Sequence, residues 1–218
     1  MPAIPTLLRI ILVIAVAASL AACNAGHDAG SHQSDASEAL PPHAADARPH
    51  RWSDPTWHIS IDVPSSWTIH HGFPASYLAN GAWKTYAGPG SQGSPVVALV
   101  APGSNHISDA EIRIGASKAA SEVQQCTTPP DALRPGSLSH EIIGGIDFTT
   151  FEGADAAMNH YLDVHSYRAA HGGVCYAIDL LVYGTNPQVF DPPATPPFSR
   201  TQAFARMRSV FASFRFTH

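Results

Sequence analysis

Val174-Cys175-Tyr176-Ala177-Ile178-Asp179-Leu180-Leu181-Val182-Tyr183 decides the fold. Side chains of an extended chain alternate between faces, so Val174, Tyr176, Ile178, Leu180 and Val182 form one apolar face of a strand. Residues 159–169 precede it, and His171-Gly172-Gly173 joins the two. Paired glycines take positive φ freely, so the junction reads as a tight hairpin turn. A long antiparallel hairpin is therefore expected at the centre of a sheet. Residues 138–143 and 146–151, joined by Gly144-Gly145, add two more strands on its N-terminal side.

Working outward, Trp57-His58-Ile59-Ser60-Ile61-Asp62-Val63 alternates with period two and reads as a strand. Pro64-Ser65-Ser66 turns the chain, and Trp67-Thr68-Ile69 opens a second strand. Residues 82–87 and 96–100 give two further strands. Between them Gly88-Pro89-Gly90-Ser91-Gln92-Gly93 matches the dinucleotide fingerprint G-x-G-x-x-G. That fingerprint needs its last glycine to open a helix facing the pyrophosphate. Ser94-Pro95 and a β-branched run follow instead, which excludes the nucleotide reading.

Ser108-x-x-Glu111 could be a capping box. Ile112 and Ile114, however, alternate with Glu111 and Arg113, which favours a strand ending at Gly115. A short helix over 117–125 is expected next, capped by Ser117 and stopped at Cys126 by Thr127-Thr128-Pro129-Pro130. After a proline-rich loop at 187–197, Ser199 starts a final helix. Ala203, Met207, Val210, Phe211 and Phe214 make its apolar stripe, while Arg200, Arg206, Arg208 and Arg215 solvate the rest.

At the other end, Arg9 precedes the apolar run Ile10 to Leu20. A membrane-crossing helix needs about 20 apolar residues. This run is marginal and small residues end it, the layout of a secretory signal peptide. Leu20-Ala21-Ala22-Cys23 resembles a bacterial lipobox. The resemblance implies cleavage after residue 22 and lipidation of Cys23, with two or more acyl chains holding the protein stably at a membrane. Asn24 rather than Asp follows Cys23, which by enteric-type sorting favours the outer membrane, facing the periplasm. Residues 23–51 are small, polar and weakly acidic, so they form a flexible tether. His27, His32, His43 and His50 read as solvated linker side chains. The folded domain is placed at 52–218.

The leader contains Arg9 and no acidic residue, so its removal takes the formal charge from −5 to −6. A weakly acidic chain with scattered basic residues is a poor nucleic-acid binder. Export implies an oxidising compartment, where Cys126 and Cys175 are expected to form a disulfide, the alternative being two unpaired buried thiols.

No catalytic motif is present. His140-Glu141 begins like a zinc-protease helix but has no second histidine four residues on. His160 and His165 fall on opposite faces of one strand, whereas Asp163 and His165 share a face. Glu141, Glu152, Asp155 and Asp163 are close in sequence, with nothing to pair two of them for acid–base work. No cofactor is implied. The expected function is a non-catalytic binding or accessory module of the bacterial envelope, serving a protein or small ligand. The alternative is a metal-binding lipoprotein using His140, His160 and His165.

Three stretches carry a resemblance over 52–218: Ile59-Ser60-Ile61-Asp62-Val63-Pro64-Ser65-Ser66-Trp67, Tyr176-Ala177-Ile178-Asp179-Leu180-Leu181-Val182-Tyr183-Gly184 and Val210-Phe211-Ala212-Ser213-Phe214-Arg215-Phe216. With the element order, they resemble the PsbP-like and DcrB-like domains of exported proteins. That implies an α+β fold, an antiparallel sheet with helices packed on it as an α/β/α sandwich. The family has no shared catalytic residues to transfer.

Overall fold

The computed structural model describes residues 48–131 and 133–217. The leader, Cys23, Asn24 and the tether to residue 47, with His27, His32 and His43, lie outside the described residues. In chain order the elements are β1 His50–Asp54, β2 Ile59–Val63, β3 Thr68–His71, β4 Ser94–Val100, β5 Asp109–Ser117, α1 Ala120–Gln124, β6 Ser139–Ile143, β7 Ile146–Ala157, β8 His160–His171, β9 Val174–Thr185, α2 Arg200–Phe211 and β10 Arg215–Phe216. The fold is α+β and its strands pair antiparallel. Seven strands form one sheet in the order β3-β4-β5-β9-β8-β7-β6, and β1-β2-β10 form a smaller one.

β9 is central, as its alternation requires: Ile178 pairs with Ile114 of β5 and with Tyr167 of β8. Gly172 and Gly173 have φ of +57° and +77°, the conformation that makes the hairpin turn, and Gly144 and Gly145 repeat it between β6 and β7. Val174, Tyr176, Ile178, Leu180 and Val182 face α2 and β2. There Met207, Phe211 and Phe214 pack with Ile59, Ile61 and Phe148 in one core. Phe148 meets Phe211 and Phe214 edge-on, with centroids 5.8 and 6.1 Å apart. Ser199 caps α2 with a reciprocal box: Ser199 Oγ accepts from Gln202 N at 3.2 Å and Gln202 Oε1 accepts from Ser199 N at 3.1 Å.

The opposite face of β9 is also buried. Cys175, Ala177, Leu181 and Tyr183 lie under α1 and the segment 72–93, where Trp83 packs on Cys126, Cys175 and Ala177. A Cβ on Gly115 would strike the Trp83 backbone and one on Gly153 would strike Tyr86 Oη, so glycine lets this segment lie flat on the sheet. Cys126 and Cys175 form a disulfide that ties the end of the α1 region to the central strand, Cα to Cα 5.4 Å.

Several local expectations are corrected. The first strand begins at His50, so His50 and Arg51 belong to β1 rather than to the tether; Arg51 Nε donates to Asp62 Oδ1 at 2.9 Å across the pair. Residues 82–87 alternate but form no strand. Their backbone meets buried side chains instead of a neighbouring strand: Thr85 N donates to Asp179 Oδ2 at 2.8 Å. β5 runs past Gly115 to Ser117, because pairing with β9 continues as far as Cys175. Ser117 is thus a strand residue, and α1 starts at Ala120 with no side-chain cap. β7 extends to Ala157, well beyond Phe151, because β8 offers it pairing to His160.

Candidate functional site

The face of β5 that carries Asp109, Glu111 and Arg113 looks polar in sequence, yet Glu111 and Arg113 are buried beneath the segment 72–93. Arg113 Nε donates to Glu111 Oε1 at 2.5 Å, while its Nη1 and Nη2 donate to Asn80 O and Pro74 O, each at 2.6 Å. A second buried pair lies across the sheet: Arg168 Nη1 donates to Asp179 Oδ1 at 2.8 Å, as does Ser166 Oγ at 2.6 Å. Both arginines therefore use spare N–H groups to hold loop carbonyls; Arg168 Nη2 donates to Thr85 O at 3.4 Å. Burial opposes ionisation of Asp179, but Arg168, Ser166 and the Thr85 amide outweigh it and hold the carboxyl below the usual range. For Glu111 burial wins over Arg113, and its pKa is pushed up to about 7.

Beside residues 76–78 of this segment, a cavity of about 230 Å³ opens at the rim of this face. Ser76 and Tyr77 supply one wall, His106 and His160 another, and Tyr183 with Asp109 the floor. The Tyr77 ring stacks on His160 with centroids 4.6 Å apart and planes at 24°. Asp109 and Tyr183 are register partners on β5 and β9, which fixes them side by side. Asp109 Oδ1 is buried, and no donor among the described residues reaches it with hydrogen-bonding geometry. Burial raises the Asp109 pKa; the hydroxyls of Ser104 and Tyr183 and the Ala110 amide oppose that rise without cancelling it. The Tyr183 hydroxyl is pushed well up by burial and by the carboxylates of Glu111 and Asp109.

The three histidines weighed as metal ligands do not converge. His140 lies on the exposed edge strand with Nδ1 3.2 Å from Asp147 Oδ1. His160 is in the cavity wall, with Thr185 Oγ1 3.5 Å from its Nδ1. His165 is on the other face of β8, stacked on Phe204 at 3.8 Å with planes 5° apart and Nε2 3.6 Å from Glu152 Oε1. Burial lowers the His165 pKa. Among the described residues no group of three His, Cys, Asp or Glu side chains is arranged to hold a metal ion.

The face of His165 brings together carboxylates that sequence left apart, through arginine. Arg134 Nη1 and Nη2 reach Glu152 Oε2 at 2.6 Å and Asp163 Oδ1 at 3.5 Å. Arg200 Nη1 lies 2.7 Å from Asp163 Oδ2, and Arg208 Nη2 lies 2.8 Å from Glu141 Oε2. Arg200 and Arg208 thus pair across to the sheet rather than only solvating α2. Asp155 is not part of this ladder and lines a separate hollow near Tyr86. The cavity itself was missed in sequence because residues 77, 109, 160 and 183 are far apart. Tyr77 carried no distinguishing mark, because Phe73, Leu78, Trp83 and Tyr86 lie in the same segment.

No protein-family model and no curated protein matches the chain. Several solved structures are similar to it, among them the following three. A protein from Bacteroides thetaiotaomicron VPI-5482 aligns at TM-score 0.43 and 16% identity over 78% of this chain, which spans only 49% of that protein's length. LpqN, described as involved in cell envelope biogenesis of Mycobacterium tuberculosis, aligns at 0.39 and 12% over 73% of this chain and 83% of its own. The cyanobacterial PsbP, CyanoP, of Synechocystis sp. PCC 6803 aligns at 0.40 and 13% over 81% and 97% respectively.

Proposed function

We propose that this chain is a lipid-anchored protein of the bacterial envelope whose folded domain is a non-catalytic module for a small ligand. The cavity floored by Asp109 and Tyr183 would be its binding site. One observation carries this reading: a partly enclosed, aromatic-walled cavity is lined by Asp109, a half-buried carboxyl that no lysine or arginine among the described residues pairs with. The arginine-paired state of Glu141, Glu152 and Asp163 supports a structural rather than an acid–base role for them.

The anchor rests on Leu20-Ala21-Ala22-Cys23. The pairing of Cys126 with Cys175 supports it, since that bridge leaves Cys23 as the remaining cysteine and suits an oxidising compartment. Cys23→Ser should leave unprocessed precursor without radiolabelled palmitate; normal incorporation in that variant would refute the anchor. For the binding site, a fragment set screened by thermal shift should yield compounds that protect the native protein but not Ser76→Trp, which fills the cavity. Equal protection of both proteins by every hit would remove the cavity from consideration.

A further inference from the structure

We infer that the cavity takes a small organic ammonium, its charge set against Asp109 and its alkyl groups against the Tyr77, Tyr183 and histidine rings. The inference rests on the ligand-binding reading above and names the ligand's class. The floor faces the ligand with one carboxylate, Asp109, and the next residue along the same strand face is the Glu111 carboxyl. Arg113, the cation nearest to them, is already committed to Glu111 and to two loop carbonyls. Arg113 is thus taken up by Glu111, and no lysine or arginine among the described residues forms an ion pair with Asp109.

The walls favour a cation of organic type. Aromatic faces attract cations through their quadrupole, and cages of such rings are suited to alkylammonium groups. Tyr77 offers such a face at the rim, 60% exposed and held in place by its stack on His160. A bare metal ion would need several oxygen or nitrogen ligands. Asp109 has no second carboxylate or thiolate beside it in the lining, and no metal-holding trio exists among the described residues. A neutral hydroxyl could donate to the Asp109 carboxylate but would leave its charge without a counter-ion. A cavity of about 230 Å³ also suits a ligand of a few carbon atoms rather than a chain or polymer.

The test measures binding of choline and of its uncharged isostere 3,3-dimethylbutan-1-ol to the purified protein at pH 7.5, by calorimetry and by shifts in the NMR spectrum. Choline is expected to bind at least about tenfold tighter than the alcohol, the ratio that about 1.4 kcal/mol of charge recognition gives. Asp109→Asn should erase that preference. Tyr77→Ala, a change at an exposed side chain, should weaken choline several-fold while the thermal unfolding curve stays that of the wild type. Equal affinity for choline and the alcohol, lost in Ser76→Trp, would overturn the ammonium class while keeping the cavity as a binding site. No binding of either, together with no fragment protection, would overturn both. A free amine and a lipid headgroup share this chemistry. Competition of choline by phosphatidylcholine vesicles would assign the site to headgroups and lack of competition to free ammonium compounds, the class standing in either case.

Discussion

Replacing Asp179 by Leu should be among the most damaging single changes in the protein. The carboxylate is 1% exposed and accepts from Arg168 Nη1, Ser166 Oγ and Thr85 N at 2.8, 2.6 and 2.8 Å. Removing it leaves the Arg168 guanidinium, itself buried, without a counter-charge. Stranding one partner of a buried pair costs roughly 3–5 kcal/mol. For a domain of this size that corresponds to a fall in Tm on the order of 10 °C. Arg168→Leu should cost a similar amount by stranding the carboxylate. The double variant should lose only about 1–3 kcal/mol, because no charge remains and the loss is confined to the Thr85 amide and Ser166 hydroxyl. Urea unfolding of all four proteins gives the coupling directly. A double variant whose loss equals the sum of the singles would refute the pairing argument. The pH dependence supplies an independent arm. The folded-state pKa of Asp179 lies below its unfolded value of about 3.9, so its contribution is full above that pH and fades as pH falls through the folded value. The wild type should therefore lose this stability below about pH 4, and the stability gap to Asp179→Leu should narrow there.

Three further outcomes follow from the same face. Replacing Cys126 and Cys175 by Ser should cost about 4 kcal/mol for a sequence separation of 49, read by urea unfolding with and without reductant; the variant should no longer respond to reductant. Glu111 titrates near 7 when folded, above its unfolded value, so folding favours its protonated form. Stability from this source is full below the unfolded pKa and declines as pH rises towards 7, so wild type should lose roughly 2–4 kcal/mol relative to Glu111→Gln between about pH 4 and 7; parallel pH profiles would contradict this. Gly115→Ala should displace the 72–93 segment, detected as a red shift of Trp83 emission, since a methyl there meets backbone rather than a side chain free to move.

The sheet was legible where one physical signal dominated. Alternation in β9, glycine pairs at 144–145 and 172–173, and the four-residue spacing on α2 each specify their element without reference to the rest of the chain. The segment 72–93 was not legible, because its conformation is set by Arg113, Arg168 and Asp179 from distant strands rather than by its own pattern. Trp83-Lys84-Thr85-Tyr86 alternates like a strand, but no neighbouring strand takes up its hydrogen bonds. For the same reason the alternation of β5 did not reveal that Glu111 and Arg113 form a buried clamp. At the candidate site, His160 was singled out in sequence and does line the cavity, though as the partner of Tyr77 rather than of His140 or His165. Asp109 and Tyr183 carried no local mark, since their significance lies in a register that only pairing of β5 with β9 creates.

The strand order also sets a timetable for assembly. β6 to β9 are neighbours in both sequence and space, so they can close one turn at a time with little loop entropy to overcome. The small sheet is different: β2 obtains its second neighbour from Arg215–Phe216, at the far end of the chain. A chain emerging N-terminus first therefore presents β1 and β2 before β10 and cannot complete their sheet until Arg215 and Phe216 arrive. Folding-rate measurements on core variants should give high φ-values for Ile178 and Tyr167 and low ones for Ile59 and Ile61. The reverse ranking would show that the ends of the chain, not its hairpin, nucleate the domain.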